Sequence, residues 1–290
     1  MDGNSARSMA LALALACAAG AAGAAGAADF GNYTWEGEPV ALGHGCVVVP
    51  HVDGVGFGKA DQIVLLASEP LDCDAYASWV SPASGAFADV VHVGDGGLVE
   101  LHVAGGKIAR TSVYGVGYTL GNDPCAGCDT KVSYGGSGIT GHVKTGAPLM
   151  DGKLALDAKF DLAKPPGPAA GEKLAGGGDP GKAWLAYLDA YSKGDYAALQ
   201  KLMREGEAEE DFGWYAEADR SAAIKSAGSM EPKSAKIVEA WKIGNGALLV
   251  AEADSPHGDG SRYKAYASLG HDGTTWRVRE SRLDWSSPVR

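Results

Sequence analysis

The chain has 290 residues, of which 46% are hydrophobic and 21% charged, and its formal net charge is −11. This composition is typical of folded globular protein and excludes an intrinsically disordered chain. The negative charge excludes nucleic acid as a partner, because polyanion binders concentrate Lys and Arg on one surface. The nearest approach to such a cluster, Arg277 and Arg279 beside Arg282, is interpreted as a solvated face.

Residues 1–28 have the pattern of a signal peptide. Arg7 gives a weakly positive start, an apolar stretch runs from Ser8 to Ala19, and small residues favour cleavage near Ala27 or Ala28. The apolar stretch is too short to span a bilayer, and no later segment is long enough either. The sequence therefore predicts a periplasmic or secreted protein without a membrane span. A lipoprotein anchored through Cys17 is the alternative, although Leu15 stands one place later than a lipobox requires.

The mature chain would keep four cysteines, Cys46, Cys73, Cys125 and Cys128. An even number of cysteines in an exported chain favours disulfides. Pairing of Cys46 with Cys73 and of Cys125 with Cys128 is preferred, while the other two connectivities stay open.

The two alternative roles for these cysteines are a thiol–disulfide oxidoreductase site and a zinc site. A thiol–disulfide oxidoreductase needs a cysteine at a helix start, but Cys125-Ala126-Gly127-Cys128 precedes a strand-like segment. A zinc site from His44, Cys46 and the CxxC pair lacks the second paired half of a ribbon motif. The sequence thus predicts no metal and no cofactor.

Residues 29–163 consist of short apolar runs separated by Gly, Asp and Asn. Cys46–Val49 and Ile63–Leu66 have the pattern of buried strands. The pair Gly105-Gly106 predicts a tight hairpin between 98–103 and 107–113, because glycine adopts the positive φ that such turns require. About eight to ten strands with little helical periodicity predict an antiparallel sandwich or barrel.

Residues 164–178 are rich in Pro and Gly and are interpreted as a linker to a second domain, 179–290. Asp179-Pro180 predicts the capped start of a first helix. Gly194 ends that helix and Asp195 caps the second.

A third helix is predicted over 207–227, with the acidic residues at its start complementing the helix dipole. Four strands follow, at 237–243, 247–253, 263–269 and 276–282. Helices followed by a meander predict an α+β layer in which the helices cover one sheet face.

Three segments of the second domain carry a family resemblance: Asp189–Tyr191 with Gly194-Asp195, Trp241–Val250, and Gly273–Val278. Over residues 179–285 the chain resembles exported nuclear transport factor 2-like proteins, and its β-rich part resembles the N-terminal half of bacterial envelope proteins with the same arrangement. The resemblance implies a cone of three helices on a curved four-stranded antiparallel sheet, with a pocket between them. It implies no chemistry, because this fold hosts both enzymes and non-catalytic modules.

The aromatic residues of the second domain are the candidate ligand pocket: Trp184, Tyr187, Tyr191, Trp214, Tyr215 and Trp241. No catalytic residue is predicted. Asp189 and Tyr191 are two positions apart on a helix and cannot both face the pocket.

The predicted function is that of a non-enzymatic exported accessory protein. Its cone domain would bind a small apolar molecule or an envelope protein, and a homodimer through the sheet stays open. The alternatives are a cone-fold enzyme of isomerase or hydrolase type, and a thiol–disulfide oxidoreductase that uses the CxxC pair.

Overall fold

The computed structural model describes residues 29–52, 62–93, 96–115, 118–122, 128–135, 137–165 and 167–289. The predicted signal peptide and Cys17 lie outside these ranges. Within them, no helix is long and apolar enough to cross a membrane.

The N-terminal domain is a sandwich of two antiparallel five-stranded sheets. The first sheet has the order β2-β1-β10-β9-β8 and consists of β1 (Gly31–Trp35), β2 (Glu38–Ala41), β8 (Cys128–Gly135), β9 (Gly138–Thr145) and β10 (Leu154–Ala163). The second sheet follows chain order and consists of β3 (His44–Val48), β4 (Gln62–Ala67), β5 (Leu98–Ala104), β6 (Lys107–Gly115) and β7 (Tyr118–Asn122). The two sheets enclose one core, in which Val64 and Leu101 of the second sheet pack with Ile139 and Leu156 of the first. The prediction of an antiparallel, strand-rich N-terminal part is therefore confirmed.

The hairpin between β5 and β6 confirms the prediction from the glycine pair. Gly105 and Gly106 have φ values of 55° and 75°. Both central residues of the turn therefore lie in the left-handed region that glycine adopts without strain.

A short helical segment, which the sequence did not predict, lies between β4 and β5. It consists of α1 (Cys73–Tyr76), α2 (Pro82–Phe87) and a π-helical stretch, Ala88–Val93. Asp72 caps α1 by accepting a hydrogen bond from the Ala75 amide, and a disulfide joins Cys73 to Cys46 of β3. The disulfide therefore holds the start of this segment to the second sheet.

The C-terminal domain has four helices where three were predicted. They are α3 (Gly178–Lys193), α4 (Tyr196–Leu202), α5 (Glu207–Phe212) and α6 (Glu217–Ala227). Gly194 ends α3 in the left-handed conformation and Asp195 caps α4, as predicted. Two details differ: the N-cap of α3 is Gly177 and not Asp179, and the predicted third helix is broken at Gly213.

The third sheet is antiparallel and has five strands in chain order, one more than predicted. They are β11 (Glu172–Lys173), β12 (Ala235–Ile243), β13 (Gly246–Asp254), β14 (Arg262–His271) and β15 (Trp276–Pro288). The short β11 pairs with β12, so part of the predicted linker 164–178 belongs to this sheet.

The two domains share a hydrophobic core, which we call the shared core. The helical segment and the outward face of the second sheet supply Tyr76, Trp79 and Leu65, and the third sheet supplies Leu248 and Tyr266. The third sheet therefore has both faces covered, because α3–α6 pack on its other side around Leu249. This explains why every residue of β13 from Gly246 to Ala251 is buried.

Candidate functional site: an inter-domain cavity

A cavity of about 530 Å³ opens beside the shared core, between the two domains. Residues of the N-terminal domain that line it are Trp79, Ser81, Ala83, Ser84, Phe87, Ala88, Glu100 and Tyr114. Residues of the C-terminal domain that line it are Arg204, Glu207, Glu210, Asp211, Arg279, Glu280 and Arg282. The cavity thus has an aromatic and alanine-lined wall from one domain and a charged wall from the other.

The aromatic wall is built by the helical segment and the second sheet. The rings of Phe87 and Tyr114 meet edge to face with centroids 5.5 Å apart, and Trp79 lies in the shared core at 8% exposure. Ala83 and Ala88 line the same cavity. This arrangement offers apolar contact to a bound molecule.

Beneath Tyr114 lies a buried polar cluster on β5. Glu100 Oε2 accepts a 2.7 Å hydrogen bond from the Tyr114 hydroxyl, and Glu100 Oε1 lies 2.5 Å from His102 Nε2. Burial alone would raise the pKa of Glu100, but the contacts with His102 and Tyr114 hold this pKa below its usual range. Glu100 is therefore an ionised carboxylate whose two oxygens are already bound within the N-terminal domain.

The charged wall depends on a β-bulge in β15. Leu269 pairs with Val278 and Ser268 pairs with Glu280, so Arg279 is the extra residue. The bulge keeps Val278 in the core under the helices and turns Glu280 and Arg282 to the opposite face. It thereby directs both charged residues at the cavity.

Two glycines on neighbouring strands make room for this wall. Gly246 of β13 pairs with Gly270 of β14. A Cβ atom at Gly270 would stand 2.3 Å from Arg279 Nε, and one at Gly246 would stand 2.1 Å from Ser78 Oγ of the N-terminal domain. The pair therefore forms a notch that receives the Arg279 guanidinium and the Ser78 side chain.

Glu280 joins the two domains. Its carboxylate accepts hydrogen bonds from the Ser81 amide at 3.2 Å and the Ser84 hydroxyl at 3.5 Å, and Arg282 Nε lies 2.6 Å from Glu280 Oε1. Burial raises the pKa of Glu280 above its usual range, and Arg282 opposes that shift. These contacts indicate that Glu280 links the two domains structurally and is not a carboxylate that is free to transfer protons.

The opposite rim of the cavity is acidic. Arg204 makes a two-pronged contact with Glu207, in which each donor lies 3.2 Å from a carboxylate oxygen. Burial, Glu207 and Glu210 together raise the pKa of Asp211. Three of the acids that the sequence assigned to the start of one long helix, Glu207, Glu210 and Asp211, therefore lie on α5 and line the cavity, whereas Glu209 accepts a hydrogen bond from Tyr196.

The predicted solvated face around Arg279 was wrong. Arg277 is held by Asp272 and by the carbonyls of Gln200 and Met203. Arg279 and Arg282 line the cavity. The alternation of the strand could not show this, because the bulge changes which side chains share a face.

The aromatic residues predicted as a pocket lie in three places. Trp184, Tyr187 and Tyr191 are buried in the core between α3–α6 and the third sheet. Trp241 packs on the other face of the sheet, against the shared core. Trp214 is 71% exposed and stacks on Tyr215 with centroids 3.7 Å apart. The structure thus groups Trp184 with the two tyrosines but does not bring all six residues together, and binding at them stays a prediction.

Beside Trp184, the helix-covered face contains a buried acid that the sequence did not indicate. Trp184 Nε1 donates to Ser281 Oγ at 3.2 Å, and Ser281 Oγ donates to Glu231 Oε2 at 2.7 Å. Burial raises the pKa of Glu231, although contacts with Ser281 and Tyr187 oppose the shift. No spacing in the sequence links Glu231 with Ser281, because the two meet only in the folded domain.

Of the predicted disulfides, the Cys46–Cys73 pair is confirmed in the structure. Cys128 is disulfide-bonded as well, but Cys125 lies outside the described residues, so its predicted pairing stays a prediction. Among the described residues, no group of three or more His, Cys, Asp or Glu side chains could hold a metal ion. Cys46 is not available as a zinc ligand while it is bonded to Cys73.

No family model and no curated protein matches the chain. One solved structure that aligns with it is an NTF-2-like protein of unknown function from Silicibacter pomeroyi, with 20% sequence identity and a TM-score of 0.24. The alignment covers 35% of this chain and 90% of that protein.

Proposed function

We propose that the chain is a non-enzymatic exported binding protein that holds a small molecule in the inter-domain cavity. The observation that carries this proposal is the cavity itself, about 530 Å³ in volume, with one aromatic and one charged wall. Volumes of roughly 300–1,000 Å³ are typical of small-molecule sites, and such sites are common at domain interfaces. An apolar part of the ligand would lie on Trp79, Phe87 and Tyr114.

Export is part of the proposal. It is supported by the signal-peptide pattern of residues 1–28 and by the Cys46–Cys73 disulfide, since disulfides persist mainly in oxidising compartments. Membership of the C-terminal domain in the nuclear transport factor 2-like proteins is likewise a proposal. Its support is the sequence resemblance together with the order of helices followed by an antiparallel meander.

An acid–base enzyme is the second candidate function. The observation that favours it is that Glu280 has a raised pKa and Glu100 a lowered pKa while both line the same cavity. Binding is preferred, because the oxygens of both carboxylates are already engaged by protein groups. Chemical conversion of a bound molecule by the purified protein would favour the enzyme instead.

The test fills the cavity and leaves the fold intact. Ala88 lines the cavity, so Ala88→Trp is expected to weaken binding of the neutral fluorophore N-phenyl-1-naphthylamine at least tenfold, since the indole takes the place of the probe. Ala186 is exposed on α3, so Ala186→Trp adds the same side chain elsewhere and is expected to leave binding unchanged. Fluorescence titration measures both affinities, and circular dichroism checks that each variant is folded. Equal binding by wild type and Ala88→Trp would contradict the proposed site.

A further inference from the structure

Arg279 differs from the other two arginines of the cavity in its partners. Arg282 and Arg204 lie 2.6 Å and 3.2 Å from the carboxylates of Glu280 and Glu207. Among the described residues, no carboxylate forms an ion pair with Arg279. Its polar contact is with Ser78 Oγ at 3.5 Å, and its guanidinium lies 5.5 Å from the centre of the Trp79 ring.

Most of the N–H donors of Arg279 have no hydrogen-bond acceptor among the described residues. A guanidinium has five N–H donors, and the long contact with Ser78 engages one of them. Burial lowers the pKa of Arg279, but an arginine side chain stays protonated at neutral pH. Asp89 and Asp72 attract this charge without forming an ion pair with it, and an anion in direct contact would offset more of the cost of burying the guanidinium.

The position of Arg279 is fixed before any ligand arrives. Arg279 is the extra residue of the bulge in β15, which fixes the direction of its side chain. Its guanidinium lies in the space that a side chain at Gly270 would occupy, and the Trp79 ring packs over it. A donor group held in this way loses little conformational freedom on binding. Planar guanidinium groups match the two oxygens of a carboxylate particularly well.

The surroundings limit the charge and the shape of the anion. Five carboxylates line the cavity against three arginines, so a multiply charged anion such as phosphate would be repelled. A single negative charge at Arg279 meets about half the repulsion of a double charge, because the Coulomb energy is proportional to the charge. The rings of Trp79, Phe87 and Tyr114 line the same cavity and suit an apolar body.

We infer that the inter-domain cavity recognises a small amphipathic monoanion, with its carboxylate or equivalent head group on Arg279 and its apolar body on the aromatic wall. This inference rests on the proposed binding function and names the ligand class. It also gives the Arg279 side chain a role in specificity.

Two matched probes separate the head group from the body. 8-Anilinonaphthalene-1-sulfonate carries one sulfonate, and N-phenyl-1-naphthylamine is the same ring system without it. The wild-type protein is expected to bind the sulfonate about tenfold to a hundredfold more tightly, the range for one charge-assisted hydrogen-bonded contact. Arg279→Met is expected to abolish this preference while binding of the neutral probe stays within about twofold.

The control removes an arginine outside the cavity. Arg262 of β14 is ion-paired with Glu252 on the surface, so Arg262→Met is expected to keep the wild-type preference. If Arg279→Met does not fold, Arg279→Gln is measured in its place and is expected to lose the preference for the sulfonate probe in the same way.

The outcomes distinguish the inference from the function on which it rests. Binding of both probes with equal affinity, or a preference for the sulfonate that survives in Arg279→Met, overturns the inference and leaves the cavity as a binding site. Binding of neither probe in the cavity, shown by the absence of any effect of Ala88→Trp, overturns the proposed function and the inference together.

Discussion

Replacement of Leu248 by alanine is expected to lower the free energy of unfolding by about 2–5 kcal/mol, as much as the same change at Leu249. The two residues are neighbours on β13 and both are fully buried. Their side chains lie on opposite faces of the third sheet. Leu248 packs in the shared core, and Leu249 packs under the helices. The decrease in unfolding free energy for Leu248→Ala therefore reports on packing in the shared core between the two domains.

Chemical denaturation of the three leucine variants Leu248→Ala, Leu249→Ala and Leu185→Ala makes the comparison. Leu185 is 40% exposed on α3, so its replacement is expected to cost much less than either buried change. A value for Leu248→Ala as small as that for Leu185→Ala would mean that the outward face of the third sheet is not covered by the N-terminal domain. The cavity between the domains would then lose its structural basis.

Removal of the Cys46–Cys73 disulfide is expected to cost about 3.5 kcal/mol of unfolding free energy. The two cysteines are 27 positions apart, and the bond restricts the unfolded chain by closing that loop. It also holds the start of the helical segment that supplies Trp79, Ala83 and Ala88 to the cavity. Weaker binding of N-phenyl-1-naphthylamine should therefore accompany the loss of stability.

The measurement is denaturation of Cys46→Ser/Cys73→Ser against wild type without reductant. Each single variant should lose about as much stability as the double variant, because either change opens the same loop. A loss below about 1 kcal/mol would contradict a disulfide that constrains this loop.

The features of the fold that depend on residues close together in the sequence could be predicted from it. The Gly105-Gly106 hairpin, the end of α3 at Gly194 and the capping of α4 by Asp195 are each decided within a few residues. The helical segment 73–93 escaped prediction because its helices have four and six residues, too few for a 3.6-residue period to appear.

Two apolar runs in the sequence indicate strands that are covered on both faces, as the docking of the two domains requires. Residues 63–67 and 247–251 are continuous apolar runs without the alternation of a half-exposed strand. Such runs indicate strands covered on both faces. In the structure β4 and β13 are these strands, and the shared core covers their second faces.

The candidate site could not be predicted in the same way. Ser81 and Glu280 are 199 positions apart and meet only when the domains dock. The bulge at Arg279 has no signature in the alternation of its strand, and it decides which charges face the cavity. The aromatic residues of the C-terminal domain are widely separated in the structure, and Trp184 and Tyr191 lie in the core under the helices.

Native mass spectrometry of the full chain, exported in a bacterial host and purified without reductant, tests the binding function most directly. Wild type and Ala186→Trp are expected to carry the same small molecule, and Ala88→Trp is expected to lack it. Fragmentation of the released small molecule should show an apolar body with one acidic group. Wild-type protein without any bound molecule, or an equal amount of it on Ala88→Trp, would contradict a ligand site in the cavity between the domains.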